Sequence, residues 1–134
     1  GQNAFLSNTE GLDSGMMIIQ YVSAACIAEL HLLANPSSTS NISVSMEKED
    51  HVSMGSTATY RLLASSELLS KVLANELICS CEAINRIGLK PGVGVSSIQS
   101  LISELVPPLI EDRSLSISTE VVSNTILSGG LLLS

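Results

Sequence analysis

From about Ser53 to Ile87 the chain reads as one unbroken helix, ending at Gly88. That is roughly thirty-five residues, or about 50 Å of rod at 1.5 Å per residue. Its apolar positions include Leu62, Leu63, Leu68, Leu69, Val72, Leu73, Leu77, Ile78 and Ile84. They cover more than one face, the pattern of a helix buried on several sides. A chain of 134 residues does not easily surround such a rod. The run therefore predicts an all-α, long-helix bundle completed by other chain segments or other subunits.

Composition supports that reading. Hydrophobic residues make up 45% of the chain, yet its aromatics are only Phe5, Tyr21 and Tyr60, and charged residues are 14%. Soluble domains carry about 25% charge, so an aliphatic, charge-poor chain hides much of its surface against something else. The formal net charge of -7, with lysines and arginines scattered, excludes a phosphate-backbone binder, so no nucleic-acid partner is expected. Cys26, Cys79 and Cys81 are an odd set without metal-site spacing. They read as small buried hydrophobes in a reducing, cytoplasmic setting. Met16–Ala34 is long and apolar, but Gln20, Ser23, Glu29 and His31 within it favour a buried helix over a membrane span. No basic region precedes this run, and no initiator Met begins the chain, which reads as starting mid-protein or after a cut.

Along the chain, loops are expected at about 1–14, 35–52 and 88–94. The first helix follows a cap at Asp13 or Ser14 and stops at Asn35-Pro36. After Gly88–Gly94 an amphipathic helix carries Ile98, Leu101, Ile102 and Leu105 and ends at Pro107-Pro108. A last helix runs from Ser118, read as its cap, to about Leu127. Glu111-Asp112-Arg113 reads as a loop ion pair or cap, and His31 as a structural histidine near a helix end.

Polar chemistry concentrates in Glu47-Lys48-Glu49-Asp50-His51-Val52-Ser53-Met54-Gly55, at a loop-to-helix junction. Asp50, His51 and Ser53 do not form a triad, because near-adjacent side chains diverge. Glu49, Asp50 and His51 lack metal-ligand spacing. From residue type alone, Asp50 or Ser53 caps the following helix, and Glu49 is a solvated loop acid.

Several segments together resemble the ammonia-lyases that carry a methylidene-imidazolone electrophile, histidine ammonia-lyases above all. Phe5-Leu6-Ser7-Asn8 and Gly11-Leu12-Asp13-Ser14-Gly15-Met16-Met17 are similar to the family's F-L segment and G-L-N-S-G-F-M. Leu33-Ala34-Asn35-Pro36 is similar to L-A-N/H-P, and Glu49–Gly55 to E-D-H-V-S-M-G. Arg61-Leu62-Leu63 follows at the expected distance, and Val106-Pro107 with Glu111-Asp112-Arg113 resembles V-P-x-L-x-E-D-R. The matches keep their order over essentially the whole chain.

The resemblance implies that residues 1–134 are the C-terminal helical portion of a larger subunit in a homotetramer. It implies elimination of ammonia from L-histidine to give urocanate. The family's electrophile forms from an Ala-Ser-Gly tripeptide, which this sequence does not contain, so the segment alone is expected to be inactive. The family's catalytic tyrosine also lies upstream, and Tyr21 and Tyr60 do not inherit its role. One residue carries over as substrate-binding: Glu49, matching the acid that faces the substrate imidazole in histidine-specific members. A charge-assisted bond of that kind contributes about 1.5–3 kcal/mol. Two positions depart from the pattern. Lys48 stands in place of Gln, where it is expected to pair with Glu49 and compete with substrate, and Asp13 stands in place of Asn. The alternatives are another aromatic amino acid lyase or aminomutase, and a non-catalytic assembly module on the same scaffold.

Overall fold

Gly88 ends the longest helix by adopting a left-handed conformation (φ 68°), and its N–H caps the Ile84 carbonyl. In the computed structural model, which describes residues 2–49, 51–88 and 90–131, four helices occur: α1 (Met17–Leu33), α2 (Gly55–Ile87), α3 (Val93–Leu105) and α4 (Ser116–Leu127). Short 3-10 turns lie at Ala4–Leu6 and Ser37–Ser40, and no strand is present among the described residues. The all-α bundle expected from periodicity is present. No described helix is long and apolar enough to cross a membrane.

The C-terminal half of α2 is the axis of the fold. Ser70, Ala74, Asn75, Ile78, Cys81 and Glu82 are its buried residues, and their spacing makes one stripe at helical period. α1 and α4 pack on α2 most extensively, and α3 closes its end. The apolar core joins Met16 and Ile19 to Ala74, Ile78 and Cys81, and then to Ile102, Val106, Leu109 and Val122. α4 approaches closely because its buried face is small and partly polar: Ser118, Thr119, Val122 and Ser123. The Ser123 and Ser70 hydroxyls share a hydrogen bond of 2.6 Å. Thr119 Oγ1 donates to Asn75 Oδ1 at 2.8 Å, and Asn75 Nδ2 donates to Ser23 Oγ on α1 at 3.0 Å. Asn75 thus links three helices with its amide satisfied, as a buried polar group must be.

The N-terminal half of α2 is a different surface. Tyr60, Leu62 and Leu63 are exposed there, as are Ile18, Tyr21 and Leu32 on α1. Burial of α2 on several sides is therefore met within this chain only over its C-terminal half.

Several local expectations change. α1 begins at Met17 with no side-chain cap from Asp13 or Ser14. Asp13 instead accepts the Asn8 and Thr9 N–H groups at 2.6 and 2.7 Å, closing the loop before the helix. The approach to α1 is held by Asp112, which accepts from the Ser14 and Gly15 N–H groups just before the helix. Ser53 does not cap α2, which starts after Met54 in a left-handed conformation, and Asp50 lies outside the described residues. Ser118 is inside α4 rather than at its cap, because the helix opens two residues earlier.

Candidate functional site

The polar loop between α1 and α2 is tied down at both ends. Asn35 Nδ2 donates to the Leu32 carbonyl at 3.2 Å as α1 ends, and Arg61, on α2, donates to the Asn35 carbonyl. The Asn35-Pro36 corner and the Arg61-Leu62-Leu63 segment thereby become one joint.

Past this joint the chain makes a tight turn. Val44 and Glu49 exchange two backbone hydrogen bonds at 3.2 and 3.3 Å, and Lys48 N–H closes on the Ser45 carbonyl at 3.3 Å. Ser45, Met46 and Glu47 between them all have positive φ, at 56°, 53° and 64°. Left-handed conformations cost non-glycine residues about 1–2 kcal/mol each. Such outliers cluster at functional sites, where surrounding contacts hold them.

Glu49 leaves this turn with its side chain exposed. Ser45 Oγ donates to Glu49 Oε1 at 3.4 Å, and Ser43 Oγ donates to the Glu49 carbonyl at 3.3 Å. Lys48 does not pair with it: the ion pairs among the described residues are Lys71–Glu120 and Arg86–Glu82. On the far side, Asn41 Nδ2 lies 3.1 Å from His51 Nδ1 and also donates to the Val52 carbonyl. An exposed carboxylate in such a frame can accept a hydrogen bond from a cationic or N–H-bearing ligand.

A second polar centre, which sequence patterns did not reveal, lies at the other end of α2. Glu82 Oε1 accepts from Arg86 Nε at 2.7 Å, and Glu82 Oε2 accepts the Leu109 N–H at 3.3 Å. Arg86 donates in turn to the Ser7 carbonyl at 3.1 Å and the Leu109 carbonyl at 3.2 Å. Asn8 Nδ2 reaches the Leu109 and Ile110 carbonyls. The segments Phe5–Asn8, Gly11–Met17 and Val106–Arg113 thus form a structural seam. The Glu82–Arg86 spacing is a local i,i+4 pattern, but the Asn8 contacts join positions 101 and 102 apart, for which only the family pattern was a signal. Among the described residues Arg113 makes no ion pair; it donates to the Pro107 carbonyl and Ser118 Oγ.

A groove of about 560 Å³ runs between α1, α2 and α4, lined by Ile18, Ile19, Val22, Lys71, Asn75 and Leu115 among others. Its buried amide, Asn75, is already bonded to Ser23 and Thr119, and its charged groups Lys71 and Glu120 pair with each other at 3.6 Å. Burial raises the thiol pKa values of Cys79 and Cys81, with the nearby Glu82 charge adding to the effect at Cys79. Both are therefore poor nucleophiles at neutral pH.

Comparison with known proteins gives a consistent result. The family described as aromatic amino acid lyase matches residues 1–104. The histidine ammonia-lyase of Myxococcus xanthus is 41% identical over 130 residues, covering 96% of this chain and 26% of that protein. That of Natranaerobius thermophilus is 39% identical over 133 residues, covering 98% and 26%. Among solved structures, histidine ammonia-lyase from Trypanosoma cruzi superposes with a TM-score of 0.91 at 31% identity, covering 97% of this chain and 26% of that one. The ergothioneine-degrading ergothionase from Treponema denticola also gives 0.91, at 29% identity, covering 99% and 27%. The chain spans about a quarter of the length of the curated relatives it matches.

Proposed function

The chain belongs to the aromatic amino acid lyase family, and we propose that it is the C-terminal helical portion of a histidine ammonia-lyase subunit. In the complete protein the reaction is the non-oxidative release of ammonia from L-histidine to give urocanate. One observation carries this reading: Glu49, in the histidine-type run Glu49–Gly55, has an exposed carboxylate on a strained turn that Ser43, Ser45 and Asn41 brace. A carboxylate there accepts the N–H of a substrate imidazole and favours its charged form. A phenyl ring offers nothing to donate, which argues against a phenylalanine-directed relative.

The methylidene-imidazolone group of the family supplies an electrophile for the substrate. The 134 residues contain no Ala-Ser-Gly, so none of them forms it and the segment alone is inactive. What these residues contribute is the acid that grips the ring and a rigid helical platform. Tyr60, Leu62 and Leu63 on α2, with Ile18, Tyr21 and Leu32 on α1, are the surface for the rest of the subunit and for the other members of a homotetramer.

In the complete enzyme, Glu49→Gln is expected to reduce kcat/KM for histidine by about ten- to a hundredfold, the equivalent of one charge-assisted hydrogen bond. Thermal stability should stay close to the parent's. An unchanged rate on histidine overturns the role of Glu49. Turnover of ergothioneine but not histidine by the parent enzyme would move the chain to the activity named for the Treponema denticola protein.

A further inference from the structure

We propose that Asn41 is a positioning residue for Glu49, acting by holding His51 in a single tautomer, an inference that rests on the histidine-lyase reading above. Asn41 stands at the entrance to the turn, and its side-chain amide has two N–H donors. One goes to the Val52 carbonyl, which can only accept, so the amide nitrogen must face the Val52 side. The other then points at His51 Nδ1, 3.1 Å away. A nitrogen receiving an N–H must present its lone pair, which places the imidazole proton on Nε2.

The consequence for Glu49 follows from where the contacts fall. His51 and Val52 are the second and third residues after it, and Val44 and Ser45 hold it from the other side. Glu49 therefore sits between two fixed points: the backbone pair with Val44 and the Asn41 clamp. The turn itself is strained at Ser45, Met46 and Glu47, so it needs external restraint to keep one geometry. Without Asn41 the downstream anchor is lost and the carboxylate samples orientations that no longer meet the substrate ring. An acid that binds the substrate ring before reaction, when displaced, raises KM more than it lowers kcat.

The test uses the complete enzyme. Asn41→Ala and Asn41→Asp, the second of similar size but without N–H donors, should each raise KM for histidine about tenfold. kcat should stay within about twofold and the melting temperature within about 2 °C. Magic-angle-spinning NMR of 15N-histidine-labelled parent protein, with the His51 resonances assigned by their loss in His51→Gln, should show the proton on Nε2. In Asn41→Asp that preference should be lost or reversed, because a carboxylate demands a donor at Nδ1. Parental KM in both Asn41 variants, or a proton on Nδ1 in the parent, overturns the inference. A parent enzyme inert on histidine instead overturns the functional reading on which it rests.

Discussion

Asp112, on the loop before α4, accepts hydrogen bonds from the Ser14 and Gly15 N–H groups at 2.8 and 3.0 Å. The start of α1 is thus served by a carboxylate 98 positions from Ser14. Ser14 and Gly15 precede the helix, so Asp112 fixes the chain's approach to α1 rather than capping its first turn, and it sets a negative charge near the positive end of the helix dipole. Asp112→Ala is expected to destabilise the protein by about 1 kcal/mol or more, through loss of these two hydrogen bonds to a charged acceptor. Amide exchange at Met17 and Ile18 should quicken more than exchange in the middle of α2. Unchanged exchange at those two amides would show that Asp112 does not secure the helix.

The Glu82–Arg86 pair should behave differently from the other ion pair. Its side chains are 9% and 20% exposed, and each makes further hydrogen bonds to backbone. Breaking such a pair leaves a charge with little water around it, so Glu82→Ala should cost about 3 kcal/mol or more in urea unfolding. Lys71 and Glu120 are 40% and 58% exposed, at 3.6 Å. Glu120→Gln should change stability by less than about 1 kcal/mol, because solvent screens that pair.

Gly15 and Gly11 separate backbone strain from crowding. Both have positive φ, at 56° and 82°. A Cβ on Gly15 would lie 2.6 Å from the Phe5 carbonyl oxygen and 2.8 Å from the Ser7 nitrogen, whereas one on Gly11 would meet nothing within 4 Å. Gly11→Ala should cost about 1 kcal/mol from its conformation alone. Gly15→Ala should cost more than about 2 kcal/mol, since backbone atoms must also shift. Equal melting temperatures for the two variants would contradict this ordering.

Asp13 makes stability depend on acid pH. Desolvation is the largest single influence and raises its pKa, but the Asn8, Thr9 and its own N–H groups, with the Arg86 charge, together outweigh it and hold the carboxyl below the usual aspartate value. A carboxyl whose pKa is lower folded than unfolded contributes stability above the unfolded pKa. That contribution is lost as pH falls through the folded value. The parent should therefore be more stable than Asp13→Asn near pH 6, and the gap should close as pH drops below about 4. A gap that stays constant down to pH 2 would contradict the assignment. The Asn usual in the family offers one acceptor oxygen, where Asp13 uses two.

Much of this architecture is legible in the sequence. The extent of α2, its stop at Gly88, and the end of α3 before Pro107-Pro108 all follow from local rules: helical period, left-handed glycine and proline geometry. These rules act over a few residues, so the chain states them openly. The E-D-H-V-S-M-G run likewise marked Glu49, though only by resemblance, since residue type alone left it a solvated loop acid.

Tertiary structure decided which polar residue serves which partner. Asp13 and Ser14 looked like caps for α1, yet Asp13 closes its own loop and Asp112 arrives from the other end of the chain. Ser118 looked like a helix start and is instead buried inside α4, where it receives the Arg113 guanidinium. Lys48 and Glu49, adjacent in sequence, do not pair, while Glu49 and Val44 do. The physical reason is common to all of these. A hydrophobic period is a property of neighbouring residues, whereas a hydrogen bond needs a donor and an acceptor brought within about 3 Å. Only the packing of α1 and α4 onto α2 chooses which of the many available groups meet.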